Sequence, residues 1–166
     1  MLEILYPRRC AVCDEIEVTG KGICPLCKDK VHVAGEPACK KCGKPLVDER
    51  KEFCTDCGKK HHVYTQGKAV FVYEGGIRNS MYRFKYGNKR EYAEFYANAA
   101  VEKYGVWLNK IKAEVLIPIP MYSRKKRLRG YNQAEVFARE LGRKAGILVD
   151  EHLVRRMRNT IPQKEL

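Results

Sequence analysis

The chain is marked first by what it lacks. In its 166 residues no apolar run approaches the ~18 needed to cross a bilayer. Its opening stretch, MLEILYPRRC, is apolar only briefly before Pro7, Arg8 and Arg9, too short for a secretory leader. A cytoplasmic protein is therefore expected. No cysteine occurs beyond Cys57. Large apolar residues are scarce before residue 60, being mainly Leu2, Ile4, Leu5, Ile16, Ile23, Leu26, Leu46 and Phe53. A segment of that size and composition needs a staple beyond its own core.

The staple is in the cysteines. All eight fall into four C-x-x-C pairs: Cys10 and Cys13, Cys24 and Cys27, Cys39 and Cys42, Cys54 and Cys57. Disulfides would need an oxidising compartment, and nothing in the sequence argues for export. Two thiolates of a C-x-x-C turn can face one ion, and two such turns complete a closed tetrahedral site of the structural zinc kind. Eight ligands make two Zn2+ sites. Sequential pairing joins Cys10, Cys13, Cys24 and Cys27, then Cys39, Cys42, Cys54 and Cys57. The near-equal gaps inside the two units read as a duplicated ribbon, and each short unit would close its own site. Cross-braced pairing, first turn with third and second with fourth, is the alternative that spacing leaves open. His61 and His62 follow closely but are not needed as ligands. Nothing marks an open, catalytic metal position.

Charge divides the chain in a second way. The formal net charge is +13. Residues 1–68 hold 13 Lys/Arg against 10 Asp/Glu, while residues 69–166 hold 20 against 10. The excess sits in the second half and favours anionic partners, nucleic acid or phosphorylated small molecules.

That half alternates helical and extended patterns. Ala69 to Glu74 reads as a strand. Ile77, Met81 and Phe84 lie at helical spacing before Gly87, and Tyr92, Phe95, Tyr96 and Ala99 form the stripe of a longer helix. AEVLIPIP reads as a strand covered on both faces, as in a parallel sheet. A basic loop with Arg124, Lys125, Lys126, Arg127 and Arg129 follows. Asn132 and Glu135 then open a helix in the manner of a capping box, and Gly146 closes it. ILVDE and LVRR read as further short β segments. Helices alternating with strands imply an α/β layer architecture. A strand that delivers a basic loop to a helix N-terminus is a credible phosphate cradle, since free N–H groups and partial positive charge gather there. Single-stranded DNA is the partner expected from the charge, its phosphates on the basic residues and its bases stacked on Tyr122 or Tyr131.

The cysteine knuckles, FVYEGGIRNSMYRFKYGNK, VLIPIPMYSRKKRLRGYNQAEVFARELG and LVRRMRNTIPQ together resemble the ComF family over nearly the whole chain. ComF proteins are associated with DNA uptake in competence. The resemblance implies a small double zinc ribbon over residues 1–62 and an α/β type I phosphoribosyltransferase-like domain over 63–166, incomplete at its C-terminus. It places Ile117 to Ser123 on the strand and pyrophosphate loop, with Arg124, Arg127 and Arg129 as the basic residues around it; Gly130 and Asn132, where the next helix begins, are expected in the same phosphate- or nucleic-acid-binding set. It matches Lys85 and Tyr86 to a Lys-Tyr pair typical of the family, and RRMRNTIPQ to the start of a mobile hood loop. It also implies phosphoribosyl diphosphate with Mg2+ in a full-length form, and competence-machinery proteins as partners. One part of the transferase signature is missing. Neither LVDER at Leu46 nor ILVDEHL at Ile147 is followed by the Thr/Gly loop that would hold a 5-phosphate. Binding of DNA is therefore the leading expectation, with phosphoribosyl transfer the alternative, and this chain is not expected to turn over phosphoribosyl diphosphate.

Overall fold

A computed structural model describes residues 7–160. Leu2, Ile4 and Leu5, and the Ile161 to Gln163 end of the hood-loop motif, lie outside them. Within the ribbons, the first knuckle of each is a hairpin made by the same hydrogen bonds. Arg9 bridges Ile16 and Ala38 bridges Pro45, both antiparallel. Glu17 N–H donates to Arg8 O at 2.8 Å, and Leu46 N–H to Pro37 O at 2.7 Å. Cys10 N–H donates to Glu15 O, and Cys39 N–H to Lys44 O, each at 2.8 Å. Every residue of the second set lies 29 positions after its counterpart, as Cys39 does after Cys10. The duplication read from spacing thus extends to the backbone. Each hairpin turns through a left-handed residue, Asp14 at φ +70° and Gly43 at φ +74°. Asp is among the few residues that tolerate this region. At Gly43 a side chain would also collide, since a Cβ would stand 2.7 Å from Ala69 N.

The second knuckles open short helical turns. One is a 3₁₀ turn at Pro25–Lys30; the other is α1, Thr55–Lys59. Two longer helices follow, α2 at Gly75–Tyr86 and α3 at Tyr92–Lys110. Their expected stripes face inward. Ile77 and Phe84 of α2 meet Tyr92, Phe95 and Tyr96 of α3 in the main core, with Tyr131 and Ala11. Ser80 and Tyr96 share a buried 2.6 Å hydrogen bond. The ring of Phe71 stacks on Phe95 at 5.4 Å.

The first ribbon is part of this core. Arg83 donates to Val12 O at 2.8 Å, and the Tyr92 hydroxyl donates to Asp14 Oδ1 at 2.6 Å. The second ribbon is held from α3. Trp107 Nε1 donates to Gln66 Oε1 at 3.2 Å, and Gln66 Nε2 donates to Lys40 O at 3.2 Å. The segment Ala69 to Glu74 is not the strand its pattern predicts. Only a single antiparallel bridge, Val33 with Phe71, pairs it, and its neighbour is the linker between the ribbons. The carbonyl of Ala69 instead accepts from the Tyr104 hydroxyl at 2.8 Å.

The α/β portion is small. Strand β1, Val115–Leu116, pairs in parallel with β2, Leu148–Val149. Two helices make the crossover, α4 at Ser123–Arg129 and α5 at Gln133–Ala145, and α5 packs along α3. AEVLIPIP is not covered on both faces. Leu116 and Pro118 turn inward, while Val115, Ile117 and Ile119 are exposed, as is Leu148 beside them. A sheet strand is buried on both faces only when layers lie on both sides, and among the described residues only one side has helices. Leu153 to Arg156 form no strand.

Gly142 marks where α5 meets the sheet. A Cβ there would lie 2.5 Å from Val149 Cγ2 and 2.7 Å from Ile147 O. The backbone oxygen cannot move aside without moving β2. Gly142→Ala is expected to destabilise the fold by roughly 1–3 kcal/mol, measured as a lower midpoint in urea unfolding.

Candidate metal centres and basic surface

The cysteines gather as two sets of four. Cys10, Cys13, Cys24 and Cys27 form one, Cys39, Cys42, Cys54 and Cys57 the other, with all sulfurs of a set within 4.8 Å of one another. The sequential pairing is therefore the one the fold builds. Four ligands at a Zn–S distance of about 2.3 Å have sulfurs about 3.8 Å apart at the tetrahedral angle. Cys13 and Cys24 Sγ lie 3.7 Å apart, and Cys42 and Cys54 Sγ 3.8 Å apart. The donor set fits zinc. Each cluster contains cysteines only, and His62 stacks on Tyr64 at 5.2 Å instead.

The knuckles also prepare the thiolate form. The amides of Val12 and Cys24 both point at Cys10 Sγ at 3.4 Å. Burial opposes ionisation of Cys10, but the amides of Cys13, Cys24 and Val12 outweigh it and bring its pKa down to about 7. Cys39 behaves alike: burial opposes, amides of Cys54, Cys42 and Lys41 prevail, and its pKa falls to about 6. Desolvation, reinforced by neighbouring sulfurs, pushes Cys27 and Cys57 each up to about 12. One thiolate per cluster forms readily and then resists the next. A divalent cation is what allows all four to ionise together.

Between the knuckles of the first site, Glu17 is buried and fully engaged. Its Oε1 accepts from the Thr19 N–H and hydroxyl, and its Oε2 accepts from Gly22 N–H at 3.1 Å. Burial would raise its pKa, but these hydrogen bonds hold it below the usual carboxylate range.

The basic residues are arranged differently from the loop predicted. Ser123 to Arg129 is α4, a helix. The run has no β-branched residue, Gly130 ends it in the left-handed region at φ +84°, and Lys126, Arg127 and Arg129 complement the negative C-terminal end. Its cations fall into two groups. Lys126 pairs with Glu135 at 2.7 Å, and Arg129 donates to Gln133 Oε1 at 2.6 Å. Arg129 also lies 4.6 Å over the Tyr86 ring. Arg124, Lys125 and Arg127 are exposed, and no hydrogen bond or ion pair holds them among the described residues.

Asn132 caps α5 as expected. Its Oδ1 accepts from Ala134 N–H at 3.0 Å, and its Nδ2 donates to Ile119 O at 3.0 Å, tying the helix to the end of β1. Both ends of this buried amide are thus engaged within the fold, and Glu135 turns to Lys126 rather than back to the Asn132 backbone. Tyr131 is not available for stacking. It is buried, and its hydroxyl donates to Phe84 O. Tyr122 lies half-buried in a cleft of about 570 Å3 shared with Glu151, Arg155 and Arg156. Lys85 and Tyr86 stand at the end of α2, beside Tyr82, Arg78 and Tyr73 on a separate cleft. These last three were missed in the sequence. For Tyr82 the signal was present: four residues before Tyr86, it lies off the Ile77, Met81, Phe84 stripe, so it had to face away from the core.

Two closed four-thiolate centres define a structural zinc module at the N-terminal end of the chain. Residues 1–58 match the family model of the double zinc ribbon domain, and two structural Zn2+ sites follow from that match and the cysteine geometry. Comparison with curated proteins and with solved structures finds no match. No helix among the described residues is long and apolar enough to cross a membrane.

Two outcomes are expected. Elemental analysis should give two zinc ions per chain, and the double substitution Cys10→Ser with Cys27→Ser should leave one ion, whereas Cys10→Ser with Cys57→Ser should leave none. Glu17→Gln should cost roughly 1–3 kcal/mol at pH 7, because an amide nitrogen then faces an N–H. A depressed folded pKa stabilises fully above the unfolded value of about 4.3 and loses that contribution as pH falls through the folded one. The gap between wild type and variant in urea unfolding should therefore narrow on acidification below pH 4.3.

Proposed function

We propose that this chain is a ComF-like protein that binds single-stranded DNA on a phosphoribosyltransferase-like scaffold, with the zinc ribbons as its structural base. The observation that carries this reading is the free basic face of α4. Arg124, Lys125 and Arg127 project into solvent with no acid engaging them among the described residues, while Lys126 and Arg129 are held by Glu135 and Gln133. Unpaired cations on a rigid, exposed element are what a phosphate backbone meets first, and such contacts are insensitive to sequence. The family resemblance supplies the setting, DNA uptake in competence, and competence-machinery proteins as further partners.

Phosphoribosyl transfer is the second reading. It draws on the cleft near the carboxyl ends of β1 and β2, the usual ligand position in an open α/β sheet. Phosphoribosyl diphosphate, or diphosphate, would be the ligand, with Mg2+ shared between phosphates and protein. The two carboxylates of ILVDEHL, a stretch that lacks the Thr/Gly loop of a ribose site, are otherwise engaged. Asp150 Oδ1 accepts from the His152 and Leu153 amides at 2.8 and 2.9 Å, and Glu151 is paired with Arg139. DNA binding is the better supported of the two.

The test is a salt titration of binding to an oligodeoxynucleotide of mixed sequence. The triple substitution of Arg124, Lys125 and Arg127 by Ala should weaken binding for all sequences alike and make the slope of log K against log salt shallower by about 2, near 0.7 for each lost phosphate contact on a single strand. Replacing Lys126 alone should have a smaller effect, since Glu135 already neutralises it. An unchanged slope in the triple variant would contradict the proposal.

A further inference from the structure

We infer that the cleft along the outer face of α2 is a stacking site for unpaired bases, an inference that rests on the DNA-binding reading and extends it from phosphates to bases. The cleft, about 960 Å3, is lined by Tyr73, Arg78, Asn79, Tyr82, Lys85 and Tyr86. Three features point to its occupant.

First, the tyrosines are left open. Tyr73, Tyr82 and Tyr86 are 63%, 65% and 59% exposed, although the core a few ångströms away is built from the same residue type. Tyr82 and Tyr86 lie one turn apart with ring centroids at 5.1 Å and planes tilted by 46°, so they present a broken aromatic platform rather than a closed stack. Every base has a π-face, so a platform of this kind recognises single strands without regard to sequence.

Second, the charge among the rings has one sign. Arg78 and Lys85 line the cleft, and no carboxylate does so among the described residues. Asn79 adds an amide with both donor and acceptor capacity. Cations interleaved with aromatics suit a strand whose phosphates alternate with its bases. An apolar peptide would leave the cations unmatched.

Third, the cleft is continuous with the basic helix. Arg129, at the end of α4, lies over the Tyr86 ring at 4.6 Å. The basic helix thus touches the cleft through Arg129, so phosphate contacts on α4 and base contacts on α2 can belong to one bound strand. Duplex DNA keeps its bases stacked inside and cannot use the platform, so the cleft selects single strands, whereas the basic helix alone would accept either form.

The experiment compares three labelled ligands of about 20 nucleotides by fluorescence anisotropy: oligothymidylate, an abasic oligodeoxynucleotide with the same number of phosphates, and a duplex. The wild-type chain should bind oligothymidylate about tenfold or more tightly than the abasic strand. Tyr82→Ala and Tyr86→Ala should each remove most of that difference without altering the salt slope, and Tyr82→Phe should retain it. Both positions are at the surface, and zinc content with far-ultraviolet circular dichroism checks folding. Equal affinity for oligothymidylate and the abasic strand, equal affinity for single strand and duplex, or Ala variants that bind as wild type would overturn the stacking site and leave the basic helix standing. Absence of binding to every ligand at low salt would overturn both.

Discussion

The burial of one knuckle organises the molecule. Ala11 and Val12 lie between the ligands Cys10 and Cys13, and both are buried, Ala11 completely. Ala11 packs with Ile77, Phe84 and Tyr92 in the helical core, while Val12 packs with Cys10 and Cys27 beside the metal site. Arg83 holds the carbonyl of Val12, and Tyr92 and Lys89 hold Asp14 at the end of the same turn. The two cysteines that flank it belong to the first metal site, so binding the ion fixes the turn further. A structural zinc site in a small module is worth about 10–16 kcal/mol, comparable to the whole stability of an ordinary domain. The packing of α2 against α3 is thereby linked to the occupancy of the first ribbon. The second ribbon has no such role, since its attachment runs through Gln66 and the linker.

Much of this was legible in the sequence, for reasons that differ by region. The metal sites were, because C-x-x-C spacing is a local geometric requirement, although which turns share an ion was settled only by the fold. Helices α2, α3 and α5 were, because Ile77, Met81 and Phe84, then Tyr92, Phe95 and Tyr96, keep a helical period and Gly87 and Gly146 stop it. The extended segments were less readable. AVFVYE has the composition of a strand, but its neighbour is the ribbon linker, and pairing partners are a tertiary matter that composition does not carry. The polarity of the run Arg124 to Arg129 predicts a loop, and the structure makes it a helix. Polarity sets solvent exposure, whereas helix formation here follows from propensity and the left-handed Gly130. Tyr131 and Tyr82 show the same limit from the other side: two tyrosines of equal chemistry, one buried against Phe84 and the other open to solvent, separated only by which face each occupies.

The second half also distributes its charges unevenly, beyond what the net value implies. Glu135, Glu151 and Glu140 each engage a cation of α4 or α5, namely Lys126, Arg139 and Arg143. Exposed pairs of this kind add little stability, on the order of 0–1 kcal/mol. Their effect is to decide which cations remain. Once they are formed, the cations of α4 that no carboxylate matches among the described residues are Arg124, Lys125, Arg127 and Arg129, the last held by the neutral Gln133. The buried amide of Asn132, fixed to both Ala134 and Ile119, holds α5 and its acids in register with the end of β1.

The cysteine clusters have an electrostatic consequence as well as a structural one. Four thiolates and one Zn2+ carry a net charge of minus two, so the two filled centres together contribute minus four. The first 68 residues, formally three positive with 13 Lys/Arg against 10 Asp/Glu, thereby become one negative. Beside them stands a half with 20 Lys/Arg against 10 Asp/Glu, ten positive. The loaded protein therefore carries net charge of opposite sign in the two parts of its sequence. Metal loading, by holding the eight thiols as thiolates, thereby reverses the sign of the N-terminal part of the chain.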